Sequence, residues 1–170
     1  MLLSKIFALV SLASTALASG DTITAAMGTI SSTTTELETT VSGWNGKPLG
    51  TLPIIIKSTK LLIDIKSGTT TAEDSAVLSL GEALQVAQAT NSLAAVVEPA
   101  LDTIVAAKPK FDALLLGPII LLNLELQKKA TEDFSSAVVE KVPEALQAVA
   151  EALVQPILDA FDAAIDAYAL

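Results

Sequence analysis

The feature that most constrains the fold is a spacing of three and four residues between apolar side chains, which recurs from residue 23 almost to the end of the chain. Such a spacing places the side chains on one face of an α-helix, and that face must be buried against other elements. The first stripe is the clearest, because it keeps the alternation over seven positions with one polar member. It consists of Ile23, Met27, Ile30, Thr34, Leu37, Val41 and Trp44.

Four further helices are predicted in the same way. The second is expected over residues 51–66, with Pro53 in its first turn. A turn at residues 67–69 and a capping box, Thr70-x-x-Glu73, are expected to open the third. The fourth starts near Phe111, and the last follows Pro143. Their predicted inward stripes are Leu52, Ile55, Ile56, Thr59, Leu62 and Ile63; Val77, Leu80, Leu84, Ala87, Asn91 and Ala94; Phe111, Leu114, Leu115, Ile119, Leu122 and Leu126; and Leu146, Val149, Leu153, Ile157, Phe161, Ile165 and Tyr168.

Three prolines lie inside these helical patterns, at Pro99, Pro118 and Pro156. A proline in a helix interior removes one backbone hydrogen bond and clashes with the preceding turn, so we expect kinks there. No segment shows a convincing strand or hairpin pattern. The sequence therefore predicts an all-α fold: a single compact bundle of about five amphipathic helices, some proline-kinked, around an apolar interior.

The composition excludes most catalytic chemistry. The chain has no Cys, His or Arg, so disulfides, thiolate sites and the commonest acid–base residue are absent. Asp162 and Asp166 share a helix face, which we interpret as a solvated face of an acidic protein and not as a cation site. The net charge of −9 makes nucleic acid a poor partner. We expect no enzyme activity, no metal and no cofactor.

The first 18 residues have the pattern of a secretory signal peptide. Lys5 precedes the apolar run 6–12, and Ala16-Leu17-Ala18 is a small-x-small cleavage site. The longest later apolar run, 114–122, is only nine residues and contains Gly117-Pro118, so no transmembrane segment is expected. We predict residues 1–18 to be the signal and residues 19–170 to be one secreted, extracellular domain.

Isolated polar residues within the stripes are candidate ligand contacts. Thr34, Thr59 and Asn91 would each need a partner when buried, and a ligand carboxylate is one choice. The structural alternative is that the threonines bond back to a carbonyl one turn earlier and that Asn91 sets helix register. The lysines at 47, 57, 60 and 66 either attract an anionic head group or pair with acids on neighbouring helices. The predicted ligand-binding set is Thr34, Leu37, Ile56, Thr59, Ile63, Leu84, Asn91, Leu115, Ile119 and Leu153.

An interior of Ala, Leu, Ile and Val with bowed helices would suit a flexible acyl chain. The leading hypothesis is a module that holds a long-chain fatty acid or another amphiphilic lipid. The alternative is a surface-active structural protein that adsorbs to hydrophobic surfaces without an internal site.

Three stretches carry a resemblance to a known family. They are residues 106–111 (AAKPKF), 134–143 (FSSAVVEKVP) and 157–168 (ILDAFDAAIDAY), together with Trp44-Asn-Gly after the first stripe. The chain resembles the fungal hydrophobic surface-binding protein A family, also known as cell-wall galactomannoproteins, over nearly all of residues 19–170. The resemblance implies a bundle of about five helices, secretion, binding of fatty acids or hydrophobic surfaces, and contact with cell-wall glycans or secreted hydrolases.

Overall fold

Six helices make up the part of the chain that the structure describes. The computed structural model covers residues 19–169 in describable form, and no strand occurs within them. The helices are α1 (Ser19–Ser42), α2 (Thr51–Glu73), α3 (Leu80–Ala106), α4 (Lys108–Asp112), α5 (Gly117–Val139) and α6 (Glu144–Ala169), and a 3₁₀ turn at Pro48–Gly50 precedes α2. The predicted all-α fold is confirmed, with five long helices and one short one.

The five long helices close a ring. Each packs mainly against two others, in the order α1, α2, α5, α6, α3 and back to α1. At one end, called the tip below, Lys110 Nζ donates to the carbonyl of Trp44 at 2.7 Å, and the Trp44 ring lies 4.7 Å from that of Phe111. At the other end, the base, the Leu78 N–H donates to the carbonyl of Lys141 at 2.7 Å. The ring encloses the apolar core of the protein.

The first predicted stripe is confirmed at every position. All seven of its residues are buried, and α1 ends at Ser42, just before Gly43. This stripe was readable because its other positions are mainly Ser, Thr and Glu, so only one face of the helix can leave water.

The predicted boundary between the second and third helices is wrong. Residues 67–69 lie inside α2, which continues to Glu73. Gly68 lets α2 pack closely against Phe134 of α5, since a Cβ at that position would lie 3.2 Å from Phe134 Cε2. The capping box is at Ser79-x-x-Glu82, not at Thr70-x-x-Glu73. The glycine in this segment does not form the predicted turn but allows the close approach of α5.

The predicted inward face of α2 is also wrong. Ile54, Leu61 and Ile65 are buried, and none of them belongs to the predicted stripe. The helix carries apolar residues on nearly all sides, so periodicity alone does not select a face. The residues predicted to be inward but found exposed are Leu52, Ile55, Ile56, Thr59 and Ile63.

The stripe of α3 is rotated by one residue from its predicted position. Ala83, Val86 and Thr90 are buried, whereas Asn91 and Leu84 are exposed. One residue corresponds to about 100° around a helix, which is enough to exchange a buried for an exposed position. Asn91 therefore does not set helix register in the core.

The fourth predicted helix is interrupted. Instead of a kink at Pro118, the chain forms the short α4, a turn, and then α5 with Pro118 in its first turn. Leu115 lies in that turn at φ 57°, in the left-handed region, and is 86% exposed. By contrast, Pro99 and Pro156 lie on exposed positions of α3 and α6, and both helices continue through them.

The Ser79–Glu82 capping box gives a prediction about acid stability. Hydrogen bonds from the Ser79 hydroxyl and from the backbone N–H groups of Ser79 and Gly20 lower the pKa of Glu82 to about 2. A depressed folded-state pKa means that this contribution is present above the unfolded value, near 4.5, and is lost as pH falls toward 2. We expect Glu82→Gln to lower the melting temperature at pH 7 and to weaken its dependence on pH between 4.5 and 2.

Thermal unfolding followed by circular dichroism measures both effects. Glu98→Gln, at an exposed position of the same helix, removes the same charge and serves as the matched control. If both variants melt alike at every pH, the capping box does not contribute to stability.

Candidate functional site

Three cavities lie in a row inside the ring of helices. The base cavity has a volume of about 110 Å³, the middle cavity about 30 Å³ and the tip cavity about 100 Å³. The base cavity lies between α3, α5 and α6, and the tip cavity between α1, α2 and α5. The row follows the long axis of the bundle.

The base cavity offers almost only hydrocarbon to an occupant. Its three hydroxyl groups already donate to backbone carbonyls of their own helices: Thr90 to Val86 at 2.9 Å, Thr131 to Gln127 at 2.9 Å and Ser135 to Glu132 at 3.0 Å. A polar ligand group would therefore gain few hydrogen bonds there, while an apolar chain would lose none. The other lining residues are Met27, Ala83, Leu84, Val86, Ala87, Leu93, Phe134, Val138, Val139, Val142, Leu146, Val149, Ala150, Leu153, Val154 and Ile157.

Single side chains separate the three cavities. Leu93, Thr131, Phe134 and Ile157 line both the base and the middle cavity. The middle and tip cavities share the side chains of Leu37, Ile104 and Gln127. Neighbouring cavities therefore share a wall of side chains, and movement of these side chains would bring the cavities together.

A polar cluster lines the tip cavity at its inner end. The Gln127 amide Nε2 donates to the Ser58 hydroxyl at 2.9 Å and to Asn123 Oδ1 at 2.8 Å, and the Ser58 hydroxyl also donates to Asn123 Oδ1. Gln127 is only 3% exposed, so this amide is a buried polar group held by two side chains. We call Ser58, Asn123 and Gln127 the polar trio. It makes the row of cavities amphipathic, with apolar walls at the base and hydrogen-bonding groups toward the tip.

Each end cavity reaches the protein surface. Leu84 on α3 and Val149 on α6 line the base cavity and are both 58% exposed. Ile55 on α2 and Ile119 on α5 line the tip cavity and are 49% and 54% exposed. The base cavity therefore opens between α3 and α6, and the tip cavity opens between α2 and α5.

The structure places half of the predicted ligand-binding residues at these cavities. Thr34, Leu37, Leu84, Ile119 and Leu153 line one or two of them. The Thr34 hydroxyl donates to the Ile30 carbonyl at 2.8 Å, so the back-bonding alternative is confirmed for this residue. The other five line none of the three cavities and are exposed, which corrects their predicted burial: Ile56, Thr59, Ile63, Asn91 and Leu115.

Sequence reasoning missed the polar trio and Phe134. Asn123 and Gln127 are four residues apart on α5, and their spacing was a usable signal for a shared helix face. Ser58 had no such signal, because it lies on α2 and meets the pair only through the packing of α2 on α5.

Two side chains with shifted pKa values, Tyr168 and Asp64, make hydrogen bonds within the fold. Burial, together with the charge of Asp112, raises the pKa of Tyr168, and its hydroxyl donates to the Ile104 carbonyl at 2.7 Å. Burial would raise the pKa of Asp64, but hydrogen bonds from Lys60 and Thr33 outweigh it and lower that pKa. Within residues 19–169, no group of three acidic side chains is placed to hold a metal ion. None of the helices described there combines the length and apolarity that crossing a membrane requires.

Two relatives of known name match the chain. It is 33% identical over 141 residues to cell wall mannoprotein 1 of Aspergillus fumigatus, covering 82% of this chain and 48% of that protein. It is 32% identical over 174 residues to cell wall mannoprotein 1 of Aspergillus flavus, covering 99% of this chain and 63% of that protein. The chain thus spans 48% and 63% of the lengths of these two relatives.

Solved structures share the fold. The crystal structure of Afmp4p in complex with palmitic acid superposes with a TM-score of 0.84 at 26% identity, covering 88% of this chain and 99% of that one. Ligand-binding domain 1 of the Penicillium marneffei MP1 protein, complexed with arachidonic acids, gives a TM-score of 0.84 at 18% identity, covering 89% and 99%. The second likeness supports the fold alone.

The family assignment rests on the sequence match. Residues 20–140 match the family described as hydrophobic surface binding protein A. The matched region runs from the start of α1 to just past the end of α5, so it includes the tip cavity and the polar trio. This chain belongs to the hydrophobic surface binding protein A family.

Proposed function

We propose that the protein binds a long-chain fatty acid, or a similar amphiphilic lipid, inside the ring of helices. The observation that carries this proposal is the row of three cavities with apolar walls at the base and the polar trio at the tip. An acyl chain matches the apolar part of the row, and a ligand carboxylate can replace Asn123 Oδ1 as the acceptor for the Ser58 hydroxyl and the Gln127 amide. The complex of Afmp4p with palmitic acid supports this choice of ligand.

Burial of the acyl chain supplies the driving force in this proposal. Each methylene group moved out of water contributes about 0.8 kcal/mol. Ligand sites usually measure roughly 300–1,000 Å³, which exceeds each of the three cavities. Side chains between the cavities therefore move when the lipid enters, and Phe134 is the largest of them.

The proposed contacts follow from the cavity walls. Leu84 and Leu153 contact the chain in the base cavity, and Thr34 and Leu37 contact it farther along. Ile119 lies at the opening of the tip cavity, beside the polar trio.

Native mass spectrometry of protein secreted from a host cell, without detergent, tests the proposal. We expect a co-purified lipid at one or two molecules per chain, lost on delipidation and restored by oleate. A mass that stays unliganded with excess oleate would exclude an internal site.

Gln127→Leu is expected to weaken binding of the ligand carboxyl group and to leave binding of the acyl chain unchanged. The substitution removes the buried amide, and a hydrogen bond to a charged group is worth about 1.5–3 kcal/mol. We expect affinity for oleate to fall by roughly tenfold or more, while affinity for methyl oleate changes little. Isothermal titration calorimetry measures both affinities.

Thr131→Val is the matched control for Gln127→Leu. It replaces a lining hydroxyl that already donates to its own helix, one turn along the same face of α5. Equal losses for oleate and its ester in Gln127→Leu would show that the trio does not contact the carboxyl group.

A second function, adsorption to hydrophobic surfaces, is supported by a different observation. Several large apolar side chains of α2 are exposed, including Leu52 at 61%, Ile56 at 57% and Ile63 at 60%. Adsorption to polystyrene beads by oleate-loaded and delipidated protein alike would indicate that this outer face, and not the cavities, contacts the surface.

The remaining assignments also belong to this proposal. We infer that residues 1–18, which lie outside the described residues, are a signal peptide, and that residues 19–170 form one non-catalytic domain secreted to the cell wall or the medium. The cell wall mannoprotein names of the relatives support this location. N-terminal sequencing of secreted protein should begin at Ser19, and any other start would move the cleavage site.

A further inference from the structure

An exposed apolar surface covers the tip where α2 and α5 begin. Leu49 in the 3₁₀ turn is 92% exposed, and Leu115 in the turn before α5 is 86% exposed. Leu52 and Ile55 continue the surface along α2, and Ile119 and Leu122 continue it along α5, each between 49% and 61% exposed. We call these six residues the tip face. α2 and α5 pack against each other and both start at the tip, and the cavity that Ile55 and Ile119 share joins the two parts of the surface.

Leu115 is the most informative member of the tip face. Its backbone adopts the left-handed conformation at φ 57°, which is unfavourable for a leucine. Its side chain gains no burial in return, since 86% of it faces solvent. The conformation closes the end of α4, because the Leu115 N–H donates to the Asp112 carbonyl at 2.9 Å and the Leu116 N–H donates to the Phe111 carbonyl at 3.0 Å. Glycine or asparagine is usual at such a cap, so the leucine side chain adds an exposed apolar group that the cap itself does not need.

The charges around the tip face are cationic in an acidic protein. Residues 43–64 and 107–125 contain five lysines and three acids, Asp64, Asp112 and Glu125, although the net charge of the whole chain is −9. Three of the lysines pair with acids, Lys57 with Glu36, Lys60 with Asp64 and Lys108 with Asp112.

The remaining two lysines, Lys47 and Lys110, lie together at the tip. The Lys110 side chain packs within 3.7 Å of where a Cβ at Gly46 would stand, and Gly46 precedes Lys47 in the chain. The positive ends of the α2 and α5 dipoles point the same way, and neither helix start has a side-chain cap. Three further acids lie near the tip ends of other helices, Glu38 on α1, Asp102 on α3 and Asp166 on α6, and none of them lies on α2, α5 or the turns that carry the tip face.

The tip face also surrounds the opening of the tip cavity. Ile55 and Ile119 belong to both, so the cavity opens within the apolar surface and not beside it. A lipid that enters tail first from this surface would pass its chain beyond the polar trio toward the apolar base cavity and leave its carboxyl group beside the trio.

We propose that the tip face docks on an anionic lipid–water interface and that lipid enters the protein there, between α2 and α5. This inference rests on the proposed function for its second part, whereas docking is measurable without any ligand. The leucines insert among acyl chains, and Lys47 and Lys110 lie at the level of the head groups.

Sedimentation with vesicles tests the docking. Wild-type protein should bind vesicles of phosphatidylcholine mixed with phosphatidylglycerol more tightly than vesicles of phosphatidylcholine alone, and salt should weaken the difference. The double variant Leu49→Ser, Leu115→Asn should bind the anionic vesicles at least about tenfold more weakly. Asparagine tolerates the left-handed conformation, so this variant should keep the melting temperature of the wild type. Lys47→Glu should reduce binding to the anionic vesicles only.

The matched control is the double variant Val77→Ser, Leu80→Ser at the base, where the two side chains are 71% and 62% exposed. It should bind vesicles as the wild type does. Equal binding of wild type to neutral and anionic vesicles, or equal binding of the two double variants, would overturn the proposal.

Oleate uptake from two donors separates the two proposals. If the tip face is the entrance, the Leu49→Ser, Leu115→Asn variant takes up oleate slowly from vesicles but at the wild-type rate from a cyclodextrin complex. If this variant takes up oleate from both donors at the wild-type rate, the tip face is not the entrance. No uptake by the wild type from either donor would refute the internal site, and the vesicle sedimentation result would still decide the docking.

Discussion

Leu37→Asp is expected to leave the protein largely unfolded at neutral pH. Leu37 is 2% exposed, at the centre of the α1 stripe, and lines the middle and tip cavities. An unpaired carboxylate at such a site costs several kcal/mol, because it loses its hydration without gaining a partner. The free energy of unfolding of a domain is only about 5–15 kcal/mol, so this loss is comparable with the entire stability of the protein. Circular dichroism and urea unfolding measure it.

Ile63→Asp provides the matched control. The sequence pattern predicted that Ile63, like Leu37, faces the interior, but the structure shows it 60% exposed on the outer side of α2. Its replacement by Asp should change the free energy of unfolding by no more than about 0.5 kcal/mol, as for an ordinary surface position. If Ile63→Asp unfolds the protein and Leu37→Asp does not, the orientation of the helices described above is incorrect.

Phe134→Ala is expected to destabilise the empty protein strongly and to make it more responsive to lipid. Phe134 is 4% exposed, packs against Gly68, and lines the base and middle cavities. Truncating a buried phenylalanine costs about 3–5 kcal/mol, part of which is the cavity it leaves. That cavity would join the base and middle cavities into one. A bound acyl chain can fill the joined space, so oleate should raise the melting temperature of this variant more than that of the wild type.

Ile23→Ala separates the cavity effect from a general loss of stability. Ile23 is fully buried but lines none of the three cavities, so its truncation should cost about 2–5 kcal/mol without enlarging them. Its melting temperature should rise with oleate by no more than that of the wild type. An equal gain in Phe134→Ala and Ile23→Ala would mean that the lipid does not occupy the space beside Phe134.

The comparison of α1 with α2 shows where sequence reasoning succeeds. On α1, polar residues occupy every face but one, so the stripe from Ile23 to Trp44 identified the buried side without error. On α2, isoleucines and leucines occupy most faces, and the burial of Ile54 was decided by contacts with α1 and α5. The exposed isoleucines of α2 are available for surface contacts, as both the adsorption hypothesis and the tip-face proposal require.

The candidate site was only partly predictable. Leu37, Leu84 and Leu153 were found because inward stripes lead to the cavity walls. Ser58 was not found, since its partners Asn123 and Gln127 are more than 60 residues away along the chain. A hydrogen-bonding cluster assembled from two helices has no signature in the periodicity of either helix.

The sequence by itself determined that this protein is helical and that its core consists mainly of aliphatic side chains. It also determined that the side chains of Cys, His and Arg are not available for any function. These properties depend on residue type and on a local period of 3.6 residues, which the chain carries before it folds. The tertiary structure alone decided which face of α2 points inward, where the three cavities lie, and how the tip face meets the opening of one of them. Each of these depends on the packing of five helices in a ring, and packing is a property of side chains that are distant in sequence.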